Sequence, residues 1–122
     1  MSKLDLAGRH ILLAEDDYLV AESLSALLQC LGVTILGPAA TTDRALELLA
    51  QADRVDFAMV DINLRGAVGF AVADALCARG VRFAFTTGYG ASAIPERYRH
   101  AAVLQKPFDE ADIAKALLTL TI

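Results

Sequence analysis

Short apolar runs alternate with helix-spaced segments along this whole chain, and that alternation restricts the fold more than any other feature. Residues 11–14, 33–36, 55–60, 81–86 and 101–105 are each too short for a buried helix and long enough for a buried strand. After the first run, Leu19, Val20, Leu24, Leu27, Leu28 and Leu31 recur at helical spacing, with Asp16 or Asp17 as N-cap and Gly32 as stop. Thr41 or Thr42 caps a second helix carrying Ala45, Leu46, Leu48 and Leu49. A loop holding Gly66 and Gly69 leads into a third helix at about 70–78, closed by Gly80. The stretch from Gly88 to Pro95 forms helix poorly, so any helix near 94–99 is expected to be short or late. A last helix is expected at about 109–120. Strands alternating with helices imply a parallel sheet covered on both faces, and right-handed crossovers leave few topologies. The expected fold is α/β: a doubly wound, five-stranded parallel sheet of order 2-1-3-4-5. It has one domain over 1–122 and a crevice at the switch point beside the first strand.

Composition narrows the class. A chain of 122 residues is one domain of ordinary size, and 56% hydrophobic content rules out disorder. A net charge of −4 without a basic run argues against nucleic-acid binding. The N-terminus lacks an apolar signal core, and no apolar stretch is long enough to span a bilayer. A cytoplasmic protein without a membrane partner is therefore expected. Cys30 and Cys77 are then expected to be free thiols, packed as small core residues.

Four of the runs end in polar groups of different kinds. The first meets Glu15-Asp16-Asp17, the third Asp61, the fourth Thr87, and the fifth Lys106-Pro107. If the runs are neighbouring parallel strands, these groups share one sheet edge, where open α/β sheets bind ligands. Together they can hold a divalent cation and move a phosphoryl group onto a carboxylate. Singly, each is ordinary. Three adjacent acids repel unless a cation such as Mg²⁺ neutralises them, yet acids also suit a helix N-terminus, and Asp17 could be only that. Asp61 could be a turn former or a nucleophile, with the carbonyl of Asn63 offered to the same cation. Thr87 can hydrogen-bond a phosphoryl oxygen. Pro107 holds Lys106 extended, which aims its ammonium along the edge toward Asp61. The order of all four after the right strands carries the argument.

At these residues the chain resembles the receiver domains of bacterial two-component response regulators, from about His10 onward. The matching pieces are "ILLAEDD", "VDIN" followed by Gly69, "TG" at Thr87-Gly88, and "KPF" at Lys106-Pro107-Phe108. The resemblance implies a flavodoxin-like receiver fold with Asp61 as phosphoacceptor. It implies Mg²⁺ bound by Asp16, Asp61 and the carbonyl of Asn63, with Glu15 acting through water. Thr87 and Lys106 would contact the phosphoryl group. It also implies a sensor histidine kinase or histidine phosphotransferase as donor, a downstream protein target, and a place in a two-component phosphorelay. Three departures stand out. Arg65 occupies a position that is often Pro, and Val103 one that is usually Tyr or Phe. "RFAFTTGYG" is similar to the FATGUY group of single-domain regulators, whose partner kinases are often of the HWE or HisKA2 type, but Thr86 replaces Ala and Arg82 replaces Pro.

Because the sequence ends after the last helix, output is expected through protein contacts, from a monomer or weak homodimer. No enzymatic activity is expected beyond the domain's own phosphorylation and dephosphorylation. The competing reading is a phosphorylation-independent interaction module, kept open by Arg65 and Val103. A haloacid-dehalogenase phosphatase would want a second Asp where Asn63 stands, and a flavodoxin would want a phosphate-cradling loop after the first strand. Tyr89, in a glycine-flanked loop, is either an exposed aromatic or a replacement for the family's rotamer-switch aromatic, absent here where Val103 stands. His10 and His100 read as surface or strand-end residues, and Arg97, Tyr98 and Arg99 around His100 as a solvated basic patch.

Overall fold

A computed structural model describes residues 6–64, 67–88 and 94–121, with 67, 68, 120 and 121 described by backbone only. Five parallel strands form the main sheet: β1 (His10–Ala14), β2 (Thr34–Ala39), β3 (Phe57–Asp61), β4 (Arg82–Thr87) and β5 (Ala102–Gln105). Their spatial order is 2-1-3-4-5, as the alternation implied. Helices α1 (Tyr18–Cys30), α2 (Thr42–Gln51), α3 (Phe70–Ala78) and α4 (Glu110–Thr121) cover it.

Each strand feeds both faces, because successive side chains point opposite ways. Leu12, Ala14, Ala58, Val60, Phe83 and Phe85 pack with Ala45 and Leu49 of α2 and Val72 and Leu76 of α3. Ile11, Leu13, Met59, Ala84 and Leu104 pack with Leu24 and Leu28 of α1 and Ile113 and Leu117 of α4. Full burial of such side chains contributes about 1.5–3 kcal/mol apiece, so the sheet is fixed from two sides.

Local signals set the helix ends. The Asp17 carboxylate accepts from the amides of Leu19 and Val20, at 3.0 and 3.1 Å, which makes Asp17 rather than Asp16 the cap of α1. Thr41, not Thr42, caps α2 through the Arg44 amide. Gly32 stops α1 at φ +84°, with its Cα side against Ala7, a conformation that suits glycine.

Several expectations change. β2 continues through Gly37-Pro38 to Ala39, where the register against β1 shifts. Asp61 and Thr87 are the last residues of their strands rather than the first beyond them. Part of the expected loop after Asp61 is a small antiparallel pairing of Asn63–Leu64 with Ala67–Val68. In the region of a fourth crossover helix, the described residues show only a 3₁₀ turn, Glu96–Tyr98, in line with a short element. Cys30 and Cys77 are free but exposed, not core residues. The inward stripes run through Leu24 and Leu28 in α1 and through Val72 and Leu76 in α3, and each cysteine sits one or two residues past its stripe, turned outward. Leu19 is also exposed, despite its helical spacing. No helix among the described residues is long and apolar enough to cross a membrane.

Candidate functional site

Strand register alone brings four of the expected groups together. Ala14 pairs with Val60, so Glu15 and Asp61 follow on adjacent strands. Asp61 pairs with Thr86, and Thr87 pairs with Gln105, which places Lys106 one step beyond. The ladder runs on past the strand ends: the Glu15 amide donates to the Ala39 carbonyl at 2.9 Å and the Lys106 amide to the Thr87 carbonyl at 2.7 Å. The polar groups therefore stand on rigid backbone.

The Asp61 carboxylate is held at both oxygens. Oδ1 accepts from the Asn63 amide at 2.9 Å, and Oδ2 accepts from Lys106 Nζ at 2.7 Å. Its residue is 4% exposed, beside Glu15 at 3% and Thr87 at 1%. The Lys106–Pro107 peptide is cis. Glu15 Oε2 accepts from the Asp17 amide at 3.0 Å and from Lys106 at 3.2 Å. Glu15 Oε1 lies 3.1 Å from the ammonium but is buried without a hydrogen-bond partner. One ammonium thus serves two nearly buried carboxylates.

The charge balance is visible in the titration of these groups. Burial pushes the Glu15 carboxyl up to about 7; the Asp17 amide opposes this and the Asp61 carboxylate adds to it. Burial works against the Lys106 ammonium, but the Asp61 and Glu15 carboxylates outweigh it and hold its pKa above the ordinary lysine value.

Glu15, Asp16 and Asp61 each offer an oxygen within 4.8 Å of the others. A hard divalent cation fits this set: three carboxylates, one with an orphaned buried oxygen, have less positive charge facing them than they need. Asn63 is exposed, with its amide on Asp61; Asp17 serves as helix cap. Arg65 and Tyr89 lie outside the described residues. Val103 is 37% exposed, on the side of β5 away from the core residue Leu104.

Two contacts near the site are not legible in the sequence. Gly69 opens α3 with its amide on the Ile62 carbonyl at 2.6 Å, and a Cβ there would overlap the Asp61 carbonyl oxygen. Tyr98, expected in a solvated patch, is instead buried against Phe70, Phe83 and Phe85. An aromatic between arginines carries no periodic signal that would have shown this. His10 sits at the opposite end of β1, 3.9 Å from Asp56, and His100 is exposed.

Beside Lys106 a groove of about 730 Å³ runs between α1 and the start of α4, with Leu19, Val20, Leu24, Phe108 and Ile113 in its walls.

The family description "Response regulator receiver domain" matches residues 11–118. The chain is 33% identical over 125 residues to the phyllosphere-induced regulator PhyR of Methylorubrum extorquens. That alignment covers 93% of this chain and 47% of PhyR, so the chain spans about half the length of this curated relative. Among solved structures it is similar to SdrG from Sphingomonas melonis Fr1, with a TM-score of 0.82 and 38% identity over 93% of this chain and 97% of that one. The BeF3-activated conformation of SdrG from Pseudomonas melonis Fr1 matches with a TM-score of 0.79 and 38% identity, over 95% and 98% of the two chains.

Proposed function

The chain belongs to the response regulator receiver domain family, and from that premise we propose that it is a phosphorylation-dependent signalling switch with Asp61 as its phosphoacceptor. The observation that carries this is the Asp61 carboxylate, buried at a strand end, held at one oxygen by a backbone amide and at the other by Lys106. A fixed carboxylate beside a fixed ammonium is arranged to attack phosphorus and to neutralise the charge that arrives.

In the proposed reaction the donor is the phosphohistidine of a sensor histidine kinase, of HWE or HisKA2 type, or of a histidine phosphotransferase. An Asp61 oxygen forms the new bond to phosphorus, the N–P bond breaks, and the imidazole leaves with the electron pair and takes up a proton. Asp16, Asp61 and the carbonyl of Asn63 would hold Mg²⁺, with Glu15 reaching it through water. Bound there, the ion supplies positive charge to the transferring group. Lys106 supplies charge from the other side, and the Thr87 hydroxyl donates to a phosphoryl oxygen. The groove between α1 and α4, which reaches Lys106, would give a protein donor an apolar seat. A new dianion drawing Thr87 inward reorganises the residues that follow it, and a protein target reads the change. The domain does no other chemistry, acts in the cytoplasm as a monomer or weak homodimer, and contacts neither nucleic acid nor membrane.

Intact mass after incubation with Mg²⁺ and phosphoramidate tests this. One added phosphoryl group, absent in Asp61→Asn, supports the switch. No added mass, from this donor or from a panel of histidine kinases, would leave the phosphorylation-independent module.

A further inference from the structure

Among the described residues, Tyr98 is the large aromatic that ties the segment after the site to a helix that starts on the site. Its hydroxyl donates to the Asp74 carboxylate, and its oxygen lies 3.2 Å from the Phe70 carbonyl oxygen; both residues are on the first turns of α3. Its ring packs against Phe85 of β4, two residues before Thr87, with centroids 5.5 Å apart. Arg97 stacks over the outer face of that ring at 4.5 Å and reaches Asp74 at 3.5 Å. The hydroxyl keeps the Asp74 carboxyl below its ordinary range, as expected of a donor aimed at the charged form.

Both ends of this contact lead to the proposed phosphoacceptor. Phe70 follows Gly69, which is pressed on the Asp61 carbonyl. Phe85, against which the Tyr98 ring packs, lies on the same strand as Thr87 and two residues before it. A displacement of the Thr87 end of β4 toward Asp61 disturbs the Phe85–Tyr98 ring contact, and is therefore resisted where Tyr98 is fastened to α3. We propose that Tyr98 is a positioning residue whose hydroxyl latches residues 94–101 to α3 in the resting state, and that the latch opens when a phosphoryl group occupies Asp61. This rests on the reading of Asp61 as phosphoacceptor.

The latch makes the phosphoryl-competent conformation rarer, so removing it raises the affinity for anything that selects that conformation. The contact is partly open to water at Asp74, which limits the effect to about threefold. The test is a titration of beryllofluoride with Mg²⁺ as phosphoryl mimic, followed by amide chemical shifts, on the parent chain, Tyr98→Phe and Asp74→Ala. Tyr98→Phe keeps the ring in its aromatic cluster, so the fold survives. The expected result is tighter binding by about threefold in each variant, no further gain in the double variant, and faster amide exchange at 94–101 without ligand. A merely structural tyrosine would lower thermal stability and leave the affinity equal or weaker. Equal or weaker binding by Tyr98→Phe, with a parent chain that binds the mimic, overturns the latch alone. A parent chain that does not bind it removes the phosphoacceptor reading and the latch together.

Discussion

Glu15→Gln asks whether the crevice is built around a negative charge that the protein alone does not favour. Glu15 is 3% exposed, and burial first of all moves its carboxyl from 4.5 to about 7. A raised folded-state pKa favours the folded chain while the group is protonated. That contribution is complete below the unfolded value of 4.5 and is lost as pH rises through about 7. At about 1.4 kcal/mol per pH unit the loss is at most ~3 kcal/mol, and Lys106 together with water at the crevice edge brings it to roughly 1–3 kcal/mol. Glutamine keeps the shape without the charge. In chelator at pH 8 the variant is therefore expected to be more stable than the parent by about that amount, which in a domain of this size is several degrees in Tm. At pH 5 the two should nearly coincide. Urea unfolding at four pH values between 5 and 8 reads the gap directly. A variant less stable at pH 8, or a gap that does not change with pH, would refute the reasoning.

Three further outcomes follow from the same geometry. Mg²⁺ should bind more weakly at pH 6 than at pH 8, because Glu15 must ionise as pH rises through about 7; calorimetric titration at the two values checks this. Lys106→Ala leaves two nearly buried carboxylates facing one another, and should cost about 2–4 kcal/mol at pH 8 but less at pH 5, where Glu15 is protonated; denaturant unfolding at both pH values measures it. Gly69→Ala forces a methyl group onto the Asp61 carbonyl, and should cost about 1–3 kcal/mol while shifting the amide resonances of Ile62 and Asn63.

What the sequence made legible was whatever local periodicity and register can fix. The runs at 11–14 and 81–86 are strands within a residue or so because apolar stretches of that length have few other uses. Once they pair in parallel, Glu15, Asp61, Thr87 and Lys106 must share an edge, so that part of the site followed from the chain itself. The contacts of Gly69 and Tyr98 were hidden because they are made across elements: one depends on how closely α3 approaches β3, the other on which way a short turn faces. The cysteines misled for a related reason, since an apolar helix says which residues can be buried but its phase decides which are. At β2 the Gly37-Pro38 signal marked a real irregularity, but the strand pairs again beyond it at Ala39.

The central claim is that Asp61 itself takes the phosphoryl group. Borohydride reduction of the chain after phosphoramidate and Mg²⁺ treatment, followed by peptide mapping, converts an aspartyl phosphate to homoserine and so reads the position directly. Homoserine is expected at 61, and none when Mg²⁺ is chelated before the donor is added. Homoserine at Asp16 or another acidic position, with Asp61 intact, would contradict it.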